Sequence, residues 1–119
     1  MDYVVDEARQ RGIRVLLAFT SMWTNVGGVP QYVRWAGKGD DTNAFFSDDD
    51  VKALFKGYVK AVLTRRNTVN GRLYSEDPTI FAWNLINEPR CSGCADGAIA
   101  DWVAELAPYV KSLDPNHLL

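Results

Sequence analysis

The run Ile80-Phe81-Ala82-Trp83-Asn84-Leu85-Ile86 is almost wholly apolar, follows Asp77-Pro78 closely, and stops at Asn87-Glu88-Pro89. A stretch this short, set between turn-forming residues and rich in branched and aromatic side chains, reads as a strand. Its lack of polar alternation predicts burial on both faces, the condition of a strand in a helix-covered parallel sheet. Ile13 to Phe19, IRVLLAF, has the same character with one arginine and predicts a second such strand.

Between these runs, Val51, Leu54, Phe55, Tyr58, Val59, Val62 and Leu63 recur at the spacing of an amphipathic helix, predicted from about Ser47 to Arg66. Ser47 is placed to accept from its first N–H groups, Asp48, Asp49 and Asp50 to complement the positive dipole end, and Arg65 and Arg66 the negative end. Met1 to Gln10 predicts a helix with Tyr3, Val4 and Ala8 on one face and Gly12 at its stop. Another runs from about Asp96 to Leu113, with Ile99, Trp102, Val103, Leu106 and Val110 facing inward and a kink expected at Pro108. Asp114-Pro115-Asn116 ends it, and His117-Leu118-Leu119 opens a third strand. From Thr20 to Ser47 the glycines, Pro30 and scattered aromatics predict one long loop, the kind that carries binding work after a strand.

Helix, strand, helix, strand, helix, strand is the alternation of a parallel α/β fold with right-handed crossovers. Three such strands leave two apolar sheet edges unpaired, so residues 1–119 read as one incomplete segment of a larger domain.

Composition closes off several functions. A chain that is 47% hydrophobic and 24% charged is not disordered as a whole. Thirteen basic and 15 acidic residues, spread along the chain to a formal charge of −2, supply no basic stripe for nucleic acid. No apolar run approaches the roughly 20 residues of a membrane span, and Met1-Asp2-Tyr3 begins nothing like a signal peptide. Cys91 and Cys94 form a single CxxC, half of a structural zinc site, with His117 the one histidine available to complete it. No metal or cofactor is implied, and the compartment stays open on this ground.

Active residues of parallel α/β folds sit where strands hand over to loops at their C-terminal ends, which is where Asn87 and Glu88 fall. Pro89 biases Glu88 toward extended backbone, so the strand is expected to persist through it and aim the carboxylate into a cleft. Asn87 offers an amide that both donates and accepts. A strand that merely ends in a polar loop fits these residues equally well.

WNLINEPRC (83–91) resembles the strand-four signature of the retaining glycoside hydrolases built on (β/α)8 barrels, and more narrowly the family 5 endo-β-1,4-mannanases of plants and fungi. DYVVDEARQRGIRVLLAF (2–19) resembles their second helix and third strand, and GGVPQYVRWAG (27–37) the following loop. The stretch from Phe45 to Cys94 resembles their third helix and fourth strand, and LDPNHLL (113–119) the lead into strand five. The resemblance implies a partial (β/α)8 barrel, from the helix before strand three to the start of strand five, within a secreted enzyme that is monomeric when full-length. A complete barrel takes about 250 residues.

On the same resemblance, Glu88 takes the acid/base position and Asn87 binds the 2-hydroxyl of the sugar at the cleaved bond. Arg90 is similar to an arginine contacting sugar on the leaving-group side, although pairing with a loop carboxylate fits it as well. Trp23 falls where the family stacks an aromatic on a distal sugar; anchoring the loop is the other reading. Related enzymes commonly carry Asn-Asn before that aromatic, where this chain has Ser21-Met22. PRCSGC implies a local Cys91–Cys94 disulfide. Trp83 and Trp102 read as core, and His117 as structural. The implied substrate is a β-mannan, cleaved by double displacement with a nucleophile beyond residue 119. Alternatives are a family 5 β-1,4-glucanase or cellulase, and a non-catalytic carbohydrate-binding barrel.

Overall fold

Val15–Ala18 (β1) and Ile80–Asn84 (β2) lie side by side and parallel in a computed structural model describing residues 1–119. Val15 pairs with Ile80, Leu16 with Ala82, Leu17 with Trp83 and Ala18 with Asn84, the register shifting after Val15. The ladder resumes beyond the regular strands. Asn87 N donates to Thr20 O at 2.9 Å and Met22 N to Asn87 O at 3.0 Å, which sets Ser21 opposite Asn87. The third strand expected at His117–Leu119 is reduced to one bridge, in which Trp83 N donates to Leu118 O at 2.9 Å.

The expected burial on both strand faces is not found. Val15, Leu17, Ile80 and Trp83 pack on the core, whereas Leu16 and Phe81 are 59% and 55% exposed. Residues 1–119 leave them uncovered, and Leu16 lines an open cavity with Ala82, Val103, Ala107, Leu118 and Leu119.

Five helices provide the packing: Asp2–Gln10 (α1), Gly28–Trp35 (α2), Ala44–Ser47 (α3), Asp49–Leu63 (α4) and Ala98–Leu113 (α5). Val51, Phe55, Val59, Val62 and Leu63 of α4 and Trp102, Leu106 and Val110 of α5 are buried, whereas Leu54, Tyr58 and Val103, expected on the same faces, lie at their edges and are exposed. Phe55 is the hub, its ring centre 5.3 Å from that of Phe45, 5.6 Å from Trp102 and 5.7 Å from Tyr32. Phe19 joins sheet to helices, stacking on Trp83 at 4.9 Å and meeting Phe55 edge-on at 6.5 Å.

Four further details depart from the sequence expectation. Asp48, not Ser47, caps α4, accepting from Asp50 N at 3.0 Å and Val51 N at 3.2 Å, because Ser47 is consumed as the last residue of α3. Lys38 beside it, with Nζ 3.0 Å from the carboxylate, holds the Asp48 carboxyl below its ordinary range. The helix also ends short of Arg65 and Arg66, which serve other partners. The stretch read as loop contains α2 and α3, since Gly28 and Pro30 stand in the first turn of α2, where a proline's missing N–H costs nothing.

The fourth departure concerns α1. Tyr3 and Val4 face outward, and the buried residues are Val5, Ala8 and the carboxylates Asp2 and Asp6. Asp2 accepts from Arg65 Nε and a terminal nitrogen at 2.7 and 2.6 Å, from Tyr74 OH at 2.6 Å, and from Thr68 N and Oγ1 at 3.0 and 2.7 Å. These donors, Arg65 first, hold its carboxyl far below the usual carboxylate range. Asp6 accepts from Arg9, Asn70 and Gln10, which lower it to about 2. An apolar period cannot reveal a helix docked by its acids.

Both folded-state values lie below the unfolded carboxylate value near ~4. The stability they confer is therefore complete above that value and is lost as pH falls from it toward the folded values. Thermal melts of the full-length protein from neutral to acid pH are expected to show Tm falling below pH ~4. Asp2→Asn is expected to lower Tm at neutral pH and flatten the acid limb; an unchanged limb would show that α1 is not docked through this carboxylate.

Candidate functional site

Parallel pairing brings the loops after β1 and β2 together at one end of the sheet. Asn87 is held there through its N–H and its C=O, both bonded to the segment after β1, and its Nδ2 donates to Ser21 Oγ at 3.4 Å. Glu88 follows with φ of 52°, in the left-handed region. The extended backbone expected from Pro89 is thus overturned: the ladder ends at the Ser21–Asn87 pair, and the chain leaves the sheet at the next residue. For a residue with a side chain this conformation is uncommon and costs on the order of 1–3 kcal/mol.

The Glu88 carboxylate meets the loop after β1. Trp23 Nε1 donates to Glu88 Oε2 at 2.8 Å. Arg90 lies across the same pair, its guanidinium 5.2 Å from the centre of the Trp23 ring and a terminal nitrogen 3.9 Å from Glu88 Oε2. Glu88 and Arg90 are both more than half exposed, so their attraction is worth no more than about 1 kcal/mol. The structure therefore brings Trp23, Glu88 and Arg90 into one cluster, with Asn87 adjacent in the chain. Trp23 is 46% exposed, which does not fit a buried loop anchor.

Three further residues shape the cluster and were not singled out from sequence. Ser21 is the strand-end partner of Asn87, at a position read only as a departure from the family pattern. Gly28, with φ of 59°, lets the start of α2 settle on the loop: a Cβ there would lie 2.3 Å from Trp23 O and 2.5 Å from Ser21 O. Val29 N donates to that same Ser21 O at 2.9 Å. Gly27-Gly28 was legible as a turn, but not as a close packing point. Asn43 Nδ2 donates to Ser92 O at 2.8 Å, tying the two loops across 49 residues with no local signal to betray it. Cys91 and Cys94 are joined as a disulfide with Cα atoms 5.5 Å apart, just behind Arg90.

A cavity of about 410 Å³ opens beside the cluster, lined by Trp23, Arg90, Thr24, Thr42, Asn43 and Ser92 among others. A larger one of about 590 Å³ lies between Ser21, Asn87, Tyr32, Trp35 and Tyr58, and does not reach Glu88. Glu88 is the candidate centre, an accessible carboxylate beside the Asn87 amide, the Arg90 cation and the exposed Trp23 ring. Asp77 and Glu105 are held elsewhere in the fold. Asp77 is buried before β2 and Glu105 is bound by Lys52 and Lys56 at 2.9 and 2.6 Å. His117 is buried between Asp114 and the Asp77 carbonyl. No group of three or more His, Cys, Asp or Glu is gathered to hold a metal.

The whole chain, residues 1–119, matches the family described as GH family 5 beta-mannosidase-like. It is 48% identical over 120 residues to mannan endo-1,4-beta-mannosidase 1 of Arabidopsis thaliana, covering all of this chain and 29% of that protein. To mannan endo-1,4-beta-mannosidase 4 of Oryza sativa subsp. japonica it is 52% identical over 126 residues, covering all of this chain and 27% of that protein. The X-ray structure of the endo-beta-1,4-mannanase from Thermotoga petrophila superposes with a TM-score of 0.94 at 41% identity, over 98% of this chain and 25% of that one. The chain thus spans less than a third of the length of these relatives. Over that span its fold is that of a partial (β/α)8 barrel.

Gly28→Ala in the full-length protein is expected to cost about 1–3 kcal/mol from overpacking against the two carbonyls, beyond the roughly 1–2 kcal/mol of a left-handed alanine. Gly37→Ala, also at positive φ but facing open space, carries the second cost alone. Equal losses in denaturant unfolding would show that the contact with Ser21 and Trp23 is not tight.

Proposed function

This chain belongs to the GH family 5 beta-mannosidase-like family, and from that premise we propose that the full-length protein is a secreted, monomeric endo-β-1,4-mannanase acting on mannan, glucomannan or galactomannan. The observation that carries the reading is Glu88 itself, an accessible carboxylate in strained backbone at the C-terminal end of a parallel strand. The activities named for the relatives support mannan over β-1,4-glucan as substrate.

The reaction is a retaining double displacement. Glu88 as the carboxylic acid gives its proton to the glycosidic oxygen as the bond to the anomeric carbon breaks. A second carboxylate, about 5–5.5 Å away, attacks that carbon and forms the glycosyl-enzyme. Glu88, now the carboxylate, takes a proton from the water that releases the sugar. Asn87 hydrogen-bonds the sugar 2-hydroxyl, while Arg90 and Trp23 contact sugars beyond the cleaved bond, through guanidinium donors and an indole face that suits an apolar pyranose face. The nucleophile lies at the end of another strand, outside residues 1–119, so the segment alone is inactive. No cofactor takes part.

Glu88→Gln in the full-length enzyme is expected to lower kcat/KM on mannan by at least about 100-fold, the lower end of what general acid–base transfer supplies, while leaving the thermal transition unchanged. Near-normal turnover would remove Glu88 from the mechanism. Extracellular material, denatured and titrated for thiols, is expected to show neither Cys91 nor Cys94 free; two titratable thiols would overturn both the disulfide and the secreted reading.

A further inference from the structure

We infer that Trp23 is a positioning residue for Glu88, fixing through its indole N–H which carboxylate oxygen carries the catalytic proton. The inference rests on the acid/base reading of Glu88 and goes beyond the sugar-stacking role of Trp23. The indole N–H is a group that stacking would leave unused. Trp23 Nε1 donates to Glu88 Oε2 at 2.8 Å, and an indole N–H is a donor only. In the protonated acid, Oε2 therefore serves as the carbonyl oxygen and Oε1 carries the hydrogen. The proton that goes to the leaving oxygen departs from Oε1, and the proton taken from water arrives there. Between the two steps the indole keeps its place, since both forms of Oε2 accept from it.

The backbone that carries the indole is closely packed. Trp23 O lies where a Cβ on Gly28 would stand 2.3 Å away, so the start of α2 is packed onto the backbone of this residue. Arg90 lies 5.2 Å from the ring centre and covers one face, leaving the other for a ligand. Glu88 has no other fixed donor: Arg90 stands at 3.9 Å, beyond hydrogen-bond reach. A half-exposed glutamate has three rotatable bonds, and its hydrogen bond to the indole restricts them.

The test is Trp23→Phe in the full-length enzyme, with site-specific 3-benzothienylalanine at position 23 as a second variant that keeps the indole outline and replaces the N–H by sulfur. Each is compared with Glu88→Gln on mannan oligosaccharides and on an aryl β-mannobioside with a dinitrophenolate leaving group, which scarcely needs protonation. Both position-23 variants are expected to lose about tenfold in kcat/KM on oligosaccharides, a fraction of the general-acid contribution, with KM within about twofold because an aromatic face remains. On the activated glycoside the loss is expected to be under twofold. Equal losses on both substrates, or a rise in KM alone, would make Trp23 a sugar platform only and overturn the inference, as would full activity of the benzothienylalanine enzyme. Full activity of Glu88→Gln would instead remove the acid/base reading on which the inference stands, whatever the position-23 variants do.

Discussion

The backbone ladder between β1 and β2, continued to Ser21 and Asn87, is the constraint from which the site follows. Parallel strands run out at the same end, so their register alone decides which residues of the two loops meet there. A slip of one residue would turn each side chain to the opposite face. It would take Trp83 off Phe19 and Asn87 off Ser21. Two contacts oppose such a slip: the Phe19–Trp83 stack at 4.9 Å, and the Trp83 indole N–H donating to Asp114 at 2.7 Å. Core packing thereby fixes the height at which Glu88 leaves the sheet.

Acids elsewhere in the chain show by contrast what is special about Glu88. Asp2 and Asp6 are filled by donors, and Asp114 accepts from Trp83, from the backbone of Asn116 and His117, and meets the His117 ring. Burial would push Asp114 up, but the hydrogen bonds from His117 and Trp83 outweigh it and hold the carboxyl below its ordinary range. Such groups lock a fold because they have no capacity left, and they lie in α1 and around the entry to β2. Glu88 has one firm donor and an open oxygen. A group that must give up and regain a proton needs that vacancy. On the proposed reading, stability and chemistry occupy opposite ends of the same strands, as barrel folds generally arrange them.

Much of this was legible in the sequence where a single physical cause acts. Both strands, α4, α5 and the buried Trp83 and Trp102 follow from hydrophobic period and run length. Asn87 and Glu88 follow from their place after a strand, and the family pattern pointed to Trp23 and Arg90. What escaped depends on contacts between distant residues. Tyr3 and Val4 looked like the inner face of α1, but Arg65 and Thr68, more than 60 residues away, bring its acid face inward instead. Gly28 and Pro30 looked like loop formers because the same residues that break a helix also start one. The Glu88–Trp23 hydrogen bond joins residues 65 apart and leaves no local mark. Pro89 predicted extended backbone from sterics with its own neighbour, whereas the end of the ladder at Asn87 demanded a turn.

That turn at Glu88 bears on how the site reaches its working geometry. A left-handed glutamate persists only where surrounding contacts over-determine it, and against the extended bias of Pro89 two such contacts lie within this chain: the Ser21–Asn87 pair and the Trp23 indole. Under the proposed mechanism the acid/base half of the site is therefore set locally, while the nucleophile arrives from a different strand. The separation of about 5–5.5 Å that a retaining reaction needs then depends on strands outside residues 1–119, which must also cover Leu16 and Phe81, the strand residues this chain leaves exposed. On that reading, the burial of Leu16 and Phe81 and the arrival of the nucleophile's strand belong to one event, the closing of the barrel.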